Sequence, residues 1–276
     1  MNFVYCLDKN YNDHAFLSIA SLLEKVHDEC NIYIIHKTPK SFKEHLTVLK
    51  KLFSQHNLKI IKFQYKIGDY PKLKNAHVSE ATYYRLFIDK HISENVDFIT
   101  YIDSDAYILD SPEILLKALI EELSNKDIPL AAKTTDQFQL GESLDIFERL
   151  NINKKYFNAG VLVINLKEWR AQSIGEKLRK KVFELEESIV YWDQDILNAQ
   201  FNGDYVELGE SLNFLIDVNT EKSQNFENIK IIHYVGKLKP WDHKAKVHNL
   251  NSFYLTLHRK YFKKKYLSKR FKFLTN

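Results

Sequence analysis

The sequence of 276 residues predicts an α/β fold in which a central sheet is flanked by helices. Two observations predict it. The first is a set of strand-like apolar runs at residues 2–7, 32–36 and 58–63, and the second is that two segments of helical apolar spacing, residues 14–26 and 41–55, lie between them. We expect Ser41 to cap the second helix, because Glu44 follows it three residues later. A βαβαβ order folds as parallel strands with helices on the sheet faces, and such sheets bind ligands outside the carboxyl ends of their strands.

The rest of the chain continues this alternation less regularly. Helices are predicted at residues 79–88, 112–123 and 167–187 and from Tyr191 onward, and strands at 98–102, 130–132, 156–165 and 229–234. Residues 133–153 are polar and irregular, and a segment of this kind often covers a site. The composition, 45% hydrophobic and 28% charged, is typical of a globular protein, and we expect one large domain followed by a tail.

Charge is distributed unevenly along the chain. The net charge is +4, yet residues 243–276 carry ten basic and no acidic side chains, so residues 1–242 carry −6. Asp8 interrupts the first apolar run before a signal-peptide core is reached, and no apolar run approaches the ~18 residues of a membrane span. We therefore expect a cytosolic chain. Cys6 and Cys30 have no CxxC spacing and are expected to be reduced thiols, with Cys6 in the core.

Asp103 and Asp105 directly follow the apolar run of residues 98–102. Positions i and i+2 project to the same side of an extended backbone, and paired carboxylates suit a hard divalent cation. Asp-x-Asp also occurs in ordinary turns, so the motif alone leaves both readings open. Asp8 and Asn10 follow the first strand in the same way, either as ligand contacts or as residues that shape a turn and cap a helix.

Four further positions place polar groups where packing alone does not require them. Arg85 is the one internal cation of an aromatic helix, and it is either solvated or reaches a phosphate or carboxylate. Asn158 lies at the start of the most strand-like run of the chain, which favours a functional or turn role. Asp193 and Asp195 lie near a helix start, where capping would account for one of them.

The glycine pattern limits how this chain can bind a phosphate. There are seven glycines and neither a Walker A loop nor a GxGxxG motif. Phosphate binding would therefore require side chains, helix termini or a metal. His233, near the end of the strand at 229–234, is either a packed core residue or a ligand.

Six segments in this order resemble family 8 glycosyltransferases, especially the bacterial enzymes that add galactose or glucose to lipopolysaccharide or lipooligosaccharide. The resemblance is spread over most of residues 1–242. The segments are Asp8-Lys9-Asn10-Tyr11, Thr82-Tyr83-Tyr84-Arg85-Leu86, Tyr101-Ile102-Asp103-Ser104-Asp105, Phe157-Asn158-Ala159-Gly160 continuing to residue 170, Asp193-Gln194-Asp195-Ile196-Leu197-Asn198, and His233-Tyr234-Val235-Gly236-Lys237-Leu238-Lys239-Pro240-Trp241.

The resemblance implies a GT-A fold with a Rossmann-like mixed central sheet. A catalytic domain over residues 1–242 would comprise a nucleotide-sugar half, about 1–110, and an acceptor half, about 111–242. A basic helical tail would follow at 243–276.

The resemblance also implies a site for a UDP-hexose donor and Mn²⁺ or Mg²⁺. Asp103, Asp105 and His233 would hold the metal, a ligand set that suits these hard cations. Lys239 and the backbone near Gly236 would donate to the diphosphate. The remaining roles are uracil and ribose contacts for Asp8 and Asn10, a ribose contact for Ser104, and sugar contacts for Arg85, Asn158, Asp193 and Gln194.

The family retains the anomeric configuration, and two routes remain open for this chain. Gln194 lies by resemblance where a nucleophile would stand, but its neutral amide is a poor one, so Asp193 would serve instead. Alternatively the acceptor attacks on the face from which UDP departs, and the leaving phosphate takes its proton; we favour this route. In the family, an acid that contacts the donor sugar often follows the strand that resembles residues 130–132. Here the segment Lys133-Thr134-Thr135-Asp136 is one residue longer than expected, so either Thr135 or Asp136 would make that contact.

The tail from residue 250 to 273 interleaves aromatic and basic residues. We expect it to lie on the inner face of an anionic cell membrane, because a lipid-linked acceptor explains the tail and the sugar chemistry together. A nucleic-acid-binding segment and a solvated helix packed on the domain are the alternatives, and no nucleic acid partner is expected.

Other functions compete with the transferase. A haloacid-dehalogenase-type phosphatase also places Asp-x-Asp after an apolar strand, but its pair lies near the N-terminus and is followed by Thr or Val where Tyr107 stands here. A transferase acting on a glycoprotein or another glycan, and a non-catalytic nucleotide-sugar-binding module, also fit the pattern. Loss of a metal ligand would mark the non-catalytic module, and all three predicted ligands are present.

Overall fold

A computed structural model describes residues 1–71, 79–135, 146–217, 220, 226–242 and 252–262. Within these residues ten strands form two sheets. The strands are β1 (Asn2–Leu7), β2 (Asn31–His36), β3 (Asn57–Lys62), β4 (Phe98–Ile102), β5 (Ala106–Ile108), β6 (Leu130–Thr134), β7 (Phe157–Asn165), β8 (Val206–Glu207), β9 (Phe214–Ile216) and β10 (Ile231–Tyr234).

The helices of the described residues lie mainly between these strands. They are α1 (Asn12–Leu23), α2 (Lys43–Leu52), α3 (Ile88–His91), α4 (Glu113–Lys126), α5 (Ile146–Leu150), α6 (Leu166–Ala171), α7 (Ile174–Glu184), α8 (Trp192–Phe201) and α9 (Ser252–Tyr261). Among them, none combines the length and the apolar composition that a membrane span requires.

The larger sheet has the strand order β3-β2-β1-β4-β7-β6-β8. The predicted βαβαβ start is confirmed, because β1, β2 and β3 pair in parallel with α1 and α2 between them. β7 runs antiparallel to both β4 and β6, so the sheet is mixed. Both faces are covered, and alternate residues of β1 enter opposite clusters: Phe3 and Tyr5 on one face, Val4 and Cys6 on the other. This burial explains why the strand is apolar from Phe3 to Leu7.

The second sheet joins the C-terminal part of the described chain to the segment after Asp105. Its order is β5-β10-β9, with β10 antiparallel to β5 and parallel to β9. His233 lies opposite Ala106 in this pairing. The Tyr234 amide donates to the Asp105 carbonyl at 3.1 Å. A histidine distant in sequence is thereby brought to the aspartate pair.

Three local expectations differ from the structure. Ser41 does not cap α2: it belongs to a 3-10 helix over Pro39–Phe42, and its hydroxyl donates to the Thr38 carbonyl. The predicted helix at 79–88 is mostly a 3-10 helix over Glu80–Phe87. The predicted helix at 167–187 is divided into α6 and α7, because Ser173 adopts the left-handed conformation with φ 54°.

Helix α9 packs against the domain through aromatic residues. Tyr254 is buried, and the Phe16 ring of α1 contacts Tyr261 and Phe262 at centroid distances of 5.5 and 5.1 Å. The Lys260 ammonium lies 2.7 Å from a Glu24 carboxylate oxygen. Residues 252–262 therefore match the alternative of a helix packed on the domain, while the rest of the basic segment, residues 263–276, lies outside the described residues.

The two cysteines are buried free thiols, as expected.

Candidate active site

Asp103, Asp105 and His233 converge beyond the end of β4. His233 Nε2 lies 3.4 Å from Asp105 Oδ1 and 4.0 Å from Asp103 Oδ2. Each of the three residues offers one ligand atom, and these atoms all lie within 4.8 Å of one another. Two carboxylate oxygens and one imidazole nitrogen at this spacing fit Mn²⁺ or Mg²⁺ better than a thiolate-preferring metal. The residues present therefore fit the metal predicted from the sequence.

Backbone hydrogen bonds hold the aspartates in this position. The chain turns after Ile102, and the Ala106 amide donates to the Asp103 carbonyl at 3.1 Å. The Asp103 amide donates to the Gly160 carbonyl of β7 at 2.8 Å. The aspartate pair is thus fixed between β7 on one side and β10 on the other.

Lys239 extends the cluster with a positive charge. Its Nζ donates to Asp105 Oδ2 at 2.8 Å and to the Tyr234 carbonyl at 2.6 Å. Burial acts to raise the pKa of Asp105, but the Lys239 ammonium and the His233 ring outweigh it and hold this pKa well below its usual range. Asp105 is therefore anionic at neutral pH.

Arg85 is buried beside the aspartates, and its side chain is only 5% exposed. Its guanidinium donates to Asp103 Oδ1 at 2.7 Å and to the Ala159 carbonyl, and its Nε lies 2.8 Å from Asp193 Oδ2. The guanidinium also lies 4.2 Å from the centre of the Tyr101 ring. This placement excludes the solvated reading of Arg85 and confirms that it reaches carboxylates.

Asp193 lies at the start of α8 on the far side of Arg85. Burial raises the pKa of its carboxyl to about 7, although the Arg85 guanidinium acts in the opposite direction. Asp195 is completely buried and accepts the amides of Val190 and Tyr191 at 2.8 Å each. Asp195 therefore holds the backbone that leads into α8, and the cap residue itself, Tyr191, makes no side-chain cap hydrogen bond.

Asn158 and Gln194 contact each other between β7 and α8. Gln194 Oε1 accepts the Ala159 amide at 3.0 Å and faces Asn158 Nδ2 at 3.3 Å. Gln194 Nε2 donates to the Tyr156 hydroxyl at 3.0 Å. The amide of Gln194 is therefore held at both its oxygen and its nitrogen.

The remaining predicted residues follow the ends of strands. Asp8 Oδ1 accepts the Asn10 amide at 2.8 Å and caps a 3-10 helix over Lys9–Tyr11, so the side chain shapes this turn, while the uracil and ribose contacts of Asp8 and Asn10 stay predictions. Ser104 is buried between the two aspartates, and Gly236 is exposed with φ 79°, a conformation that favours glycine. Thr135 is buried, whereas Asp136 lies outside the described residues.

Comparison with known proteins decides the family. The sequence model of the family described as glycosyl transferase family 8 matches residues 2–245. The chain belongs to glycosyltransferase family 8. This membership confirms the resemblance noted in the sequence and excludes the phosphatase alternative.

Relatives and a solved structure support the assignment. This family 8 glycosyltransferase is 30% identical over 259 residues to a lipopolysaccharide 1,2-glucosyltransferase of Escherichia coli, covering 87% of this chain and 73% of that protein. It is 26% identical over 251 residues to a lipopolysaccharide 1,3-galactosyltransferase of Salmonella typhimurium, covering 87% and 72%.

The fold is similar to the crystal structure of the galactosyltransferase LgtC in complex with donor and acceptor sugar analogs. The TM-score is 0.75 at 22% identity, and the match covers 93% of this chain and 95% of that chain. This similarity confirms the GT-A fold predicted from the sequence.

Sequence reasoning missed a buried polar residue that contacts His233 in this family 8 glycosyltransferase. Asn213 is completely buried, and its Oδ1 lies 3.1 Å from His233 Nδ1. It precedes the apolar run Phe214–Ile216 that forms β9. An amide next to a buried strand was the signal that marked Asn158, and it applies equally to Asn213.

Proposed function

We propose that this family 8 glycosyltransferase transfers galactose or glucose from a UDP-hexose to a hydroxyl of a glycan acceptor, with retention of configuration. The acceptor we propose is a lipopolysaccharide or lipooligosaccharide core, by analogy with the glucosyl- and galactosyltransferase relatives. The observation that carries the proposal is the convergence of Asp103, Asp105 and His233 beside the Lys239 ammonium. We also propose the division into halves at about residue 110 within a catalytic domain over 1–242.

The three converging residues would hold Mn²⁺ or Mg²⁺. When bound, the metal would supply Lewis-acid stabilisation of the charge on the departing diphosphate. Lys239 and the backbone near exposed Gly236 would donate to the same phosphates, because the chain has no glycine-rich loop to do so. Arg85 would keep Asp103 oriented, since its guanidinium binds one oxygen of that carboxylate.

The contacts of Gln194 and Asp193 favour attack on the face from which UDP departs. Gln194 Oε1 already accepts a backbone amide, and the Asp193 carboxylate is paired with Arg85. Both groups are therefore already engaged by contacts within the protein, which supports a route that needs neither as a nucleophile beneath C1. In same-face attack, the bond from C1 to the phosphate oxygen breaks, the bond from C1 to the acceptor oxygen forms, and the acceptor proton passes to the phosphate. Asn158, Asp193 and Gln194 would then orient the sugar, and Asp8, Asn10 and Ser104 the nucleoside.

UDP release from a panel of UDP-sugars with Mn²⁺ tests this function. We expect release with UDP-galactose or UDP-glucose, and a loss of about 100-fold or more in Asp105→Asn, because a charged ligand becomes neutral. Asp110→Asn is the matched control: its side chain is 58% exposed and pairs with Lys230 outside the cluster. Absence of release from every sugar would contradict the transferase. Equal release by wild type and Asp105→Asn would contradict the metal site.

We further propose that the protein is cytoplasmic and attaches peripherally to the inner face of the cell membrane through residues 263–276. This segment contains six lysine and arginine residues and no acid. Because residues 252–262 pack on the domain, the test removes only residues 263–276. We expect flotation with anionic liposomes to be lost in this variant and to be absent for both proteins with neutral liposomes. Unchanged flotation would rule the segment out as the anchor.

A further inference from the structure

His233 is contacted at both ring nitrogens, by different kinds of group. Nε2 faces Asp105 Oδ1 at 3.4 Å and Asp103 Oδ2 at 4.0 Å. Nδ1 lies 3.1 Å from Asn213 Oδ1, on the side of the ring away from the aspartates. The metal-binding capacity of Nε2 depends on which nitrogen carries the hydrogen, because a protonated nitrogen has no lone pair to offer.

The orientation of the Asn213 amide follows from a backbone donor. The Gly160 amide lies 2.9 Å from Asn158 Oδ1, so that atom must be the acceptor oxygen. The Asn213 atom 3.0 Å from the same oxygen must therefore be the donor Nδ2. A second backbone donor agrees, since Gln194 Oε1 accepts the Ala159 amide and the Asn158 Nδ2 faces it.

The tautomer of His233 follows from this orientation. With Nδ2 of Asn213 directed at Asn158, Oδ1 of Asn213 is directed at His233 and can only accept. Nδ1 of His233 must then carry a hydrogen, and in the neutral ring Nε2 presents its lone pair to the space between the two aspartates. Asn213 is completely buried, so bulk solvent does not compete with its Oδ1 for this contact.

Gly160 fixes the position of the same ring. A methyl group on Gly160 would lie 2.0 Å from His233 Cε1 and 2.5 Å from Nδ1, distances that packed atoms do not adopt. The His233 ring therefore occupies the space that any other residue at 160 would fill. The Gly160 carbonyl also accepts the Asp103 amide, so one residue of β7 supports both sides of the cluster.

We propose that Asn213 and Gly160 are positioning residues for the metal site, Asn213 by selecting the tautomer of His233 and Gly160 by admitting its ring. The inference rests on the proposed function in that the metal is the one Asp103 and Asp105 would bind. The tautomer itself is a property of the protein without metal, and it is tested independently of any transfer reaction.

Histidine ring ¹⁵N chemical shifts measure the tautomer directly. The spectrum of metal-free protein is recorded at alkaline pH, where the ring is neutral, and His233→Gln identifies the resonances of His233. We expect hydrogen on Nδ1 in the wild type and a shift towards hydrogen on Nε2 in Asn213→Ala. Hydrogen on Nε2 in the wild type, or an unchanged tautomer in Asn213→Ala, would overturn the proposal.

Asn198→Ala is the matched control for Asn213→Ala. Asn198 is also completely buried, and its amide binds the Phe157 backbone, not His233. Both substitutions should lower stability, but the control should leave the His233 tautomer unchanged. If Asn213 acted only through the stability of the fold, the tautomer of His233 would instead change equally in both variants.

Mn²⁺ affinity, measured without donor sugar from the electron paramagnetic resonance of free Mn²⁺, completes the test. We expect affinity to fall about 10- to 100-fold in Asn213→Ala and Gly160→Ala. It should be retained in Asn198→Ala and in Gly68→Ala, since a methyl group on Gly68 meets no atom within 4 Å. Equal losses in the variants and their controls would overturn the positioning roles. A wild type that binds no Mn²⁺ would overturn the proposed function and the metal-positioning roles, whereas the expected tautomer would still confirm the Asn213 contact.

Discussion

Replacing Arg85 with methionine should strongly destabilise the protein. Methionine keeps most of the side-chain stem but removes the guanidinium that contacts Asp103, Asp193 and the Ala159 carbonyl. Loss of one partner from a buried ion pair costs about 3–5 kcal/mol, because the remaining charge stays buried. We expect the loss for one unpaired carboxylate and not for two, because only Asp193 would remain buried. The Asp193 side chain is 5% exposed, whereas that of Asp103 is 25% exposed and partly solvated.

Urea unfolding followed by circular dichroism at pH 8 measures this loss. A second variant, Arg85→Met with Asp193→Asn, should recover at least about 1 kcal/mol, because the amide removes the unpaired carboxylate. The control is Lys126→Met, which removes an exposed pair with Glu122 and should cost under about 1 kcal/mol. The reasoning is refuted if Arg85→Met costs no more than Lys126→Met at the same m-value.

Three further predictions concern stability. Burial lowers the pKa of His36 to about 4, and its ring accepts the Thr38 amide at Nδ1, so protonation removes an acceptor. Between pH 6.5 and pH 4, the free energy of unfolding from urea titrations should therefore fall by about 3 kcal/mol more in the wild type than in His36→Gln. An equal fall in the two proteins would contradict this. Asp127→Gly should raise the free energy of unfolding by about 0.5–1 kcal/mol, because Asp127 ends α4 with φ 51°; lower stability in urea would contradict it. Tyr254→Ala should lower the thermal midpoint and cost about 3 kcal/mol, because this ring docks α9; an unchanged midpoint would show that α9 adds no stability.

The three strands of the parallel βαβαβ start were predicted to within one residue, because each contains a recognisable apolar run. β1 is buried on both faces, whereas β3 lies at the sheet edge and buries mainly Leu58. β1 matches the prediction at both ends, and β2 and β3 each begin one residue earlier than expected. Short elements were not predictable in this way. β8 has two residues and β9 three, too few to show a period, and tertiary pairing with β6 and β10 defines them.

The division between α6 and α7 was hidden for a different reason. Ser173 takes a left-handed conformation that a glycine would have signalled, but serine carries no such signal in the sequence. The helical apolar pattern therefore runs through the break, because both helices bury their apolar faces against the same cluster.

For the site, the sequence predicted which residues converge better than which contacts they make. Asp103, Asp105 and His233 meet as expected, because β10 pairs beside the segment that follows Asp105. Arg85 was left with two readings, since whether a lone cation is solvated depends on which face of its helix is covered. Asn213 was missed because its partner, His233, is supplied by a strand that pairs with β9 only in the folded chain.

The pairing of β5 with β10 also has a consequence for the order in which the protein is made. A chain synthesised from its N-terminus presents Asp103 and Asp105 well before His233 and Lys239 exist. During that interval the Asp105 carbonyl lacks the Tyr234 amide, and its carboxylate lacks the Lys239 ammonium. A nascent or proteolytically shortened chain that ends before β10 would therefore be unable to form the proposed cation site. Cation binding would thus report that synthesis has passed this strand and that the strand has docked.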